Sequence, residues 1–291
     1  MRKSFFQNTI ALVYDFDGTL SPQPMQEYTV LPKIGVEPKE FWAAVNREAR
    51  ETESDMMLVY MRHIIEALER VRVDVKREDF AAMASSIEYF PGVPTWFARV
   101  NAYVKRRSRG QAKIQHYLIS AGQKEILEGI SIRRHFRRIY ASEYYFNHHG
   151  VATFPKFLIT DTLKTQFLFR INKGREAITE SINEHMPEAQ RPIPFPNMIY
   201  VGDGMSDVPS MALTKKSGGH AVAVYDRKKA GGQASCAELL RAGRVDFIAE
   251  ADYRKGSRLS RRVELLLDAI IANIAYSREA FQCLQENTAR R

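Results

Sequence analysis

Three short apolar runs, each ending abruptly in acidic or small polar residues, constrain this chain more than any other feature. Ile10-Ala11-Leu12-Val13-Tyr14 leads into Asp15-Phe16-Asp17-Gly18-Thr19-Leu20, His116-Tyr117-Leu118-Ile119 into Ser120-Ala121-Gly122, and Met198-Ile199-Tyr200-Val201 into Gly202-Asp203-Gly204-Met205-Ser206-Asp207. Runs that are apolar at consecutive positions read as strands buried on both faces, the condition of a parallel sheet covered by helices. Ala221 to Val224 and Asp246 to Ala249 read as further strands, and Ile139 to Ser142 with Val151 to Phe154 as a hairpin or meander. Helical spacing fills the gaps: Trp96, Phe97, Val100 and Val104 share one face, Lys164 to Gly174 and Arg175 to Met186 read as helix, and Gly256 to Ala280 as a long closing helix. Strands alternating with helices predict an α/β fold with a doubly wound, Rossmann-like core and a mostly parallel sheet joined by right-handed crossovers.

The alternation is interrupted once. Prolines 22, 24, 32 and 38 break the chain after the first junction, and 41–72 and 77–87 then carry helical spacing before the turn at Phe90-Pro91-Gly92-Val93. We therefore expect a discontinuous core, residues 1–22 and 90–291, with a helical cap domain inserted at 23–89. A length of 291 residues accommodates both.

Composition narrows the function classes. With 45% hydrophobic and 26% charged residues the chain falls with folded globular proteins rather than disordered or membrane-embedded ones. Even the apolar stretch from Val263 to Ala275 is broken by Glu264, Asp268 and Asn273, and Thr9 to Tyr14, preceded by Arg2 and Lys3, is too short for a secretory segment. Neither a membrane span nor export is expected. Cys236 and Cys283 have no metal-ligand or disulfide-framework spacing, which suits a reducing cytoplasm. The net charge of +9 favours anionic ligands. Its clusters, at 105–109, 133–138 and 254–262, do not interleave aromatics in a nucleic-acid-binding pattern, which argues against nucleic acid. Oligomeric state is left open.

In doubly wound sheets ligands sit beyond the carboxyl ends of the strands, where the three polar junctions lie. Carboxylates converging there repel one another unless a cation is shared among them. Oxygen ligands in an incomplete cage suit Mg2+, which keeps waters and a phosphate oxygen in its shell.

DFDGTL at 15–20, Ser120, Lys164 and GDGMSD at 202–207, in that order, resemble the four motifs of the haloacid dehalogenase (HAD) superfamily of phosphohydrolases, and the helical insert is similar to that of its phosphoserine-phosphatase-like branch. The resemblance spans roughly residues 8–22 and 90–255. It implies that Asp15 is the nucleophile, forming an aspartyl-phosphate that water hydrolyses, and that Asp17 is the general acid and base. Dehalogenating members lack an acid at the place of Asp17, so its presence implies phosphoester hydrolysis. Gly18, Thr19, Ser120, Ala121, Gly122 and Lys164 would contact the phosphate. Mg2+ would be held by Asp15, Asp203 and the backbone carbonyl of Asp17, with Asp207 acting through a metal-bound water or by orienting Lys164.

Lys156 and Lys173 compete with Lys164 for the third motif; the following Phe167, Leu168 and Ile171 favour Lys164. Cap residues Glu27, Arg47, Arg50, Arg62 and His63 are polar, but none is singled out for specificity. The cap glutamate of the phosphoserine enzymes has no counterpart, since Pro24 stands near its place. The expected substrate is a small phosphorylated metabolite. A phosphotransferase or mutase using the same intermediate, or a non-catalytic anion-binding module, are the other readings.

Overall fold

The computed structural model of the protein describes residues 4–71 and 74–288; Arg2, Lys3 and Arg72 lie outside the described residues. Seven strands form one sheet: β1 (Thr9–Tyr14), β2 (Lys113–Gln123), β3 (Phe136–Phe146), β4 (Ala152–Phe157), β5 (Met198–Gly202), β6 (His220–Tyr225) and β7 (Phe247–Glu250). Their order is β4-β3-β2-β1-β5-β6-β7, with every neighbouring pair parallel except β3 and β4. The expected hairpin is therefore an antiparallel extension of a parallel sheet, in longer strands than the sequence suggested.

The apolar run of β1 is the centre of the molecule. Ile10, Leu12 and Tyr14 face one hydrophobic cluster and Ala11 and Val13 the other. This alternation explains why positions 10–14 are apolar on both faces of the strand.

Helices α1 (Met25–Tyr28), α2 (Val30–Ile34), α3 (Pro38–Glu51), α4 (Met56–Arg70) and α5 (Arg77–Met83) all fall between β1 and α6 (Val93–Arg107). Asp55 starts α4 by accepting hydrogen bonds from the N–H groups of Met57 and Leu58. The chain leaves and re-enters the sheet at one place, where the Phe90 N–H donates to the Leu20 carbonyl at 3.0 Å. A short α7 (Lys124–Leu127) follows β2. Of the remaining helices, α8 (Lys164–Lys173), α9 (Val208–Lys216) and α10 (Gly232–Arg241) contribute Phe167, Met211 and Cys236 to one face of the sheet. The closing helix α11 (Arg258–Thr288) packs Val263 and Leu267 with Trp96 and Phe97 of α6 on the other.

One expected helix is not formed. Residues 175–186 are irregular because side chains of α8 take their carbonyls: the Arg170 guanidinium donates to Arg175, Ala177, Ile178 and Glu180, and the Lys173 ammonium to Ile182 and Glu184. Carbonyls held by these cations are not available for an i to i+4 ladder. No helix among the described residues is long and apolar enough to cross a membrane.

Candidate active site

The three polar junctions come together at the carboxyl ends of β1, β2 and β5. Asp15, Asp203 and Asp207 each offer a carboxylate oxygen within 4.8 Å of the others. Lys164 stands between them, its ammonium donating to Asp15 Oδ1 at 2.9 Å and to Asp207 Oδ1 at 2.8 Å. Its placement follows from helix period: Lys164 opens α8 on the same stripe as Phe167, Leu168 and Ile171, so the face that packs on the sheet carries the ammonium inward. Only 1% of Lys164 is exposed. The competing lysines are engaged elsewhere, Lys156 with Glu143 and Lys173 with the loop carbonyls.

Burial and like charge dominate the electrostatics. The Asp15 carboxyl is pushed up to about 7, first by burial and then by the charge of Asp207, against the opposing pull of Lys164. Burial, Asp15 and Asp207 together push Asp203 up to about 8. Burial alone would lower the Lys164 ammonium, but Asp15 and Asp207 hold it well above the usual lysine range. One ammonium is thus too little positive charge for this group of carboxylates. The donor set, hard oxygens only, fits Mg2+ or a similar hard cation.

Asp207 stands differently from the other two. Its Oδ1 accepts from Lys164 and from the Tyr200 hydroxyl at 2.7 Å, and its Oδ2 from the Asp203 N–H at 3.2 Å. With both oxygens already bonded to protein, it is placed to hold Lys164 and the Asp203 backbone.

The turn after β1 is tight. Gly18 N–H donates to Ser21 at 2.7 Å, while Leu20 N–H returns to Phe16 at 2.8 Å. Gly18 has φ +77°, and a Cβ there would lie 1.9 Å from Asp203 Oδ2, so both backbone and space demand glycine. Asp17 is outside the three-carboxylate cluster. Its Oδ1 accepts from the Met25 N–H at 2.8 Å, and burial followed by the charge of Asp15 raises its carboxyl well above the usual range. The Thr19 hydroxyl is buried and has no hydrogen-bond partner among the described residues.

On the other side, the pairing of β2 with β3 is irregular between Ile119 and Gln123, so Ser120, Ala121 and Gly122 form a break in the ladder. Ser120 Oγ accepts from Gly122 N–H at 3.0 Å. The Ala121 carbonyl accepts from Ser142 and, across from α4, from the Tyr60 hydroxyl at 3.2 Å.

Sequence reasoning passed over Tyr200, Met25 and Tyr60, because an aromatic or a methionine in an apolar run reads as packing. Three of the polar candidates of the insert, Glu27, Arg62 and His63, have partners within the insert itself. Glu27 accepts from Trp42, and Glu48 is shared by Arg62 and His63, while Arg47 and Arg50 are exposed.

Comparison with known proteins bears on the family and the fold. An uncharacterized protein of Borreliella burgdorferi is 26% identical over 277 residues, covering 87% of this chain and 94% of the relative. A HAD family hydrolase of Salmonella enterica serovar Typhi shares the fold with a TM-score of 0.57 and 17% identity, over 90% of this chain and 71% of that one. A phosphoserine phosphatase bearing a phospho-aspartyl intermediate analogue does so at 0.54 and 17%, over 89% and 99%. The sequence model of haloacid dehalogenase-like hydrolases matches residues 12–212, across all the junctions described, and the chain belongs to that family.

Proposed function

We propose that the protein is a magnesium-dependent phosphatase that hydrolyses a small phosphomonoester through an aspartyl-phosphate on Asp15. The observation that carries this reading is Lys164, buried and bonded to Asp15 and Asp207 beside Asp203. Such an arrangement suits the neutralisation of a phosphate dianion beside a carboxylate nucleophile.

In this reading an Asp15 carboxylate oxygen attacks phosphorus in line, and the bond to the leaving oxygen breaks as Asp17 protonates it. Asp17 then takes a proton from water as that water attacks phosphorus and frees Asp15, an acid and base task worth typically ~10²–10⁴ in rate. The Ser120 hydroxyl, with the Ala121–Gly122 backbone beside it, and the unpartnered Thr19 hydroxyl would hold the phosphoryl oxygens, while Gly18 shapes the turn that brings them close. Asp15, Asp203 and the Asp17 backbone carbonyl would hold Mg2+, which would supply the positive charge that a dianion needs to enter a group of carboxylates. Asp207 orients Lys164.

The helical segment 23–89 acts as a cap over the core of 1–22 and 90–291. Closing it excludes water and limits the leaving group to small size. Likeness to a phosphoserine phosphatase at 17% identity concerns the fold, and we assign no amino-acid substrate from it. Both cysteines are free thiols, in keeping with a cytoplasmic setting.

The test is a panel of metabolite phosphomonoesters assayed with Mg2+ and with excess chelator, with Asp15→Asn as the blank. Turnover of one or a few small esters, lost with chelator and in the folded variant, is expected. Full activity in chelator, or wild-type rates in Asp15→Asn, would refute the mechanism. Transfer of phosphate to an added alcohol in place of water would indicate a phosphotransferase.

A further inference from the structure

The group that fixes Asp17 comes from the insert. Asp17 Oδ1 accepts its 2.8 Å hydrogen bond from the N–H of Met25, the first residue of α1. Met25 is in turn held against the second junction. Its side chain is fully buried, and its Sδ accepts from the Gln123 N–H at 3.3 Å. Its methyl group occupies the space a side chain on Gly122 would need, since a Cβ there would lie 2.1 Å from Met25 Cε and 2.8 Å from Sδ. The Met25 carbonyl is anchored by the Thr29 hydroxyl at 2.7 Å. One residue therefore touches both the loop that bears Asp17 and the break at Ser120 to Gly122.

We infer that Met25 is a positioning residue for proton transfer: its N–H holds Asp17 Oδ1, which assigns Oδ2 as the oxygen that carries the proton, and its thioether ties that N–H to the Ser120–Gly122 loop. The inference rests on the reading of Asp17 as general acid and base. A carboxyl oxygen that already accepts an N–H has that lone-pair direction occupied, so the acidic hydrogen goes on its partner oxygen. Oδ2–H then gives its proton to the leaving oxygen as the P–O bond breaks, and in the second half Oδ2 takes a proton from the water whose oxygen bonds phosphorus while the Asp15 O–P bond breaks. Oδ2 has to lie within hydrogen-bond reach of that oxygen in both halves, and the distance is set by Met25.

The role separates from simple packing by its dependence on the leaving group. p-Nitrophenolate departs without a proton, whereas an alkoxide needs one. Met25 is at the first position of a helix and follows Pro24, whose φ of −53° and ψ of 135° suit a residue preceding proline. Met25→Pro thus removes the N–H at a position where proline is tolerated, and Met25→Ala keeps the N–H while removing the thioether.

The experiment compares kcat/KM, which reports the steps up to departure of the leaving group and leaves out the shared hydrolysis of the aspartyl-phosphate, on p-nitrophenyl phosphate and on the alkyl phosphomonoester that the wild type turns over fastest, for wild type, Asp17→Asn, Met25→Pro and Met25→Ala. We expect Met25→Pro to lose about 10²-fold on the alkyl ester with less than about threefold change on the aryl ester, Met25→Ala to lose less in the same sense, and Asp17→Asn more. Equal losses on both esters in Met25→Pro at an unchanged melting temperature, or no loss on either, would overturn the inference. If Met25→Pro does not fold, Met25→Ala decides by the same ratio. Equal losses on both esters in Asp17→Asn would instead remove the acid role of Asp17, and the inference with it.

Discussion

The aspartates of the site are one residue type in three surroundings. Asp207 has both oxygens on protein donors, Asp15 shares Lys164, and Asp17 is held by a backbone N–H from the insert. Partners decide what each can do. His116 shows the same principle away from the site. Its Nδ1 accepts from the Tyr14 hydroxyl at 3.1 Å and its Nε2 donates to Asn101 Oδ1 at 2.8 Å, the neutral tautomer that these partners select. Burial, with a smaller effect of His135, pushes the imidazole down to about 3. In the unfolded chain it takes up a proton near 6.5, so between those values the unfolded state binds more protons than the folded one. Its contribution is complete above about pH 6.5 and declines as pH falls toward 3, by about 1.4 kcal/mol per pH unit inside that window. Urea unfolding at pH 7 and pH 4.5 should show a smaller loss for His116→Gln than for wild type; an identical loss would mean that His116 does not titrate in this way. The candidate site was legible at this scale where acidic residues end strands, as at Asp15 and Asp203, which the fold brings together. Lys164 could be preferred over Lys156 and Lys173 only through its apolar stripe. Met25 and Tyr200 were not legible, since their contributions are one N–H and one hydroxyl on residues whose side chains are otherwise core.

Among elements, α4 carries two of the bonds that tie the insert to the sheet. Adjacent residues reach opposite ways: the Tyr60 hydroxyl donates to the Ala121 carbonyl at 3.2 Å, and the Met61 carbonyl accepts from the Tyr144 hydroxyl of β3 at 3.0 Å. In the proposed reading of 23–89 as a cap, removing one such bond should favour an open arrangement by about 1 kcal/mol, or roughly fivefold. In Tyr60→Phe, amide exchange over 56–70 should accelerate by about that factor while β1 is unchanged, with kcat/KM reduced. Uniform acceleration across both elements would show loss of global stability instead. Elements were read well where periodicity is strong, as in β1, β5 and α6. Segment 175–186 was misread because helical spacing says nothing of Arg170, whose guanidinium makes better use of those carbonyls.

For the whole molecule, the net charge of +9 creates a field that extends beyond the cleft. Its effect on a dianionic ester should be screened by salt, so kcat/KM is expected to fall severalfold between about 0.01 and 0.2 M ionic strength, with kcat nearly constant. A flat kcat/KM would mean that the basic clusters are too far from the entrance to steer the substrate. The bond between Phe90 and Leu20 bears on the molecule at this scale as well. Departing and returning backbones are neighbours there, while Met25, Tyr60 and Met61 bond the interior of the insert to β2 and β3. A segment of another length, grafted onto the same pair of ends, would have to replace the bonds of Met25 and α4 to Asp17 and the sheet, so the insert and the loops beneath it are expected to change together.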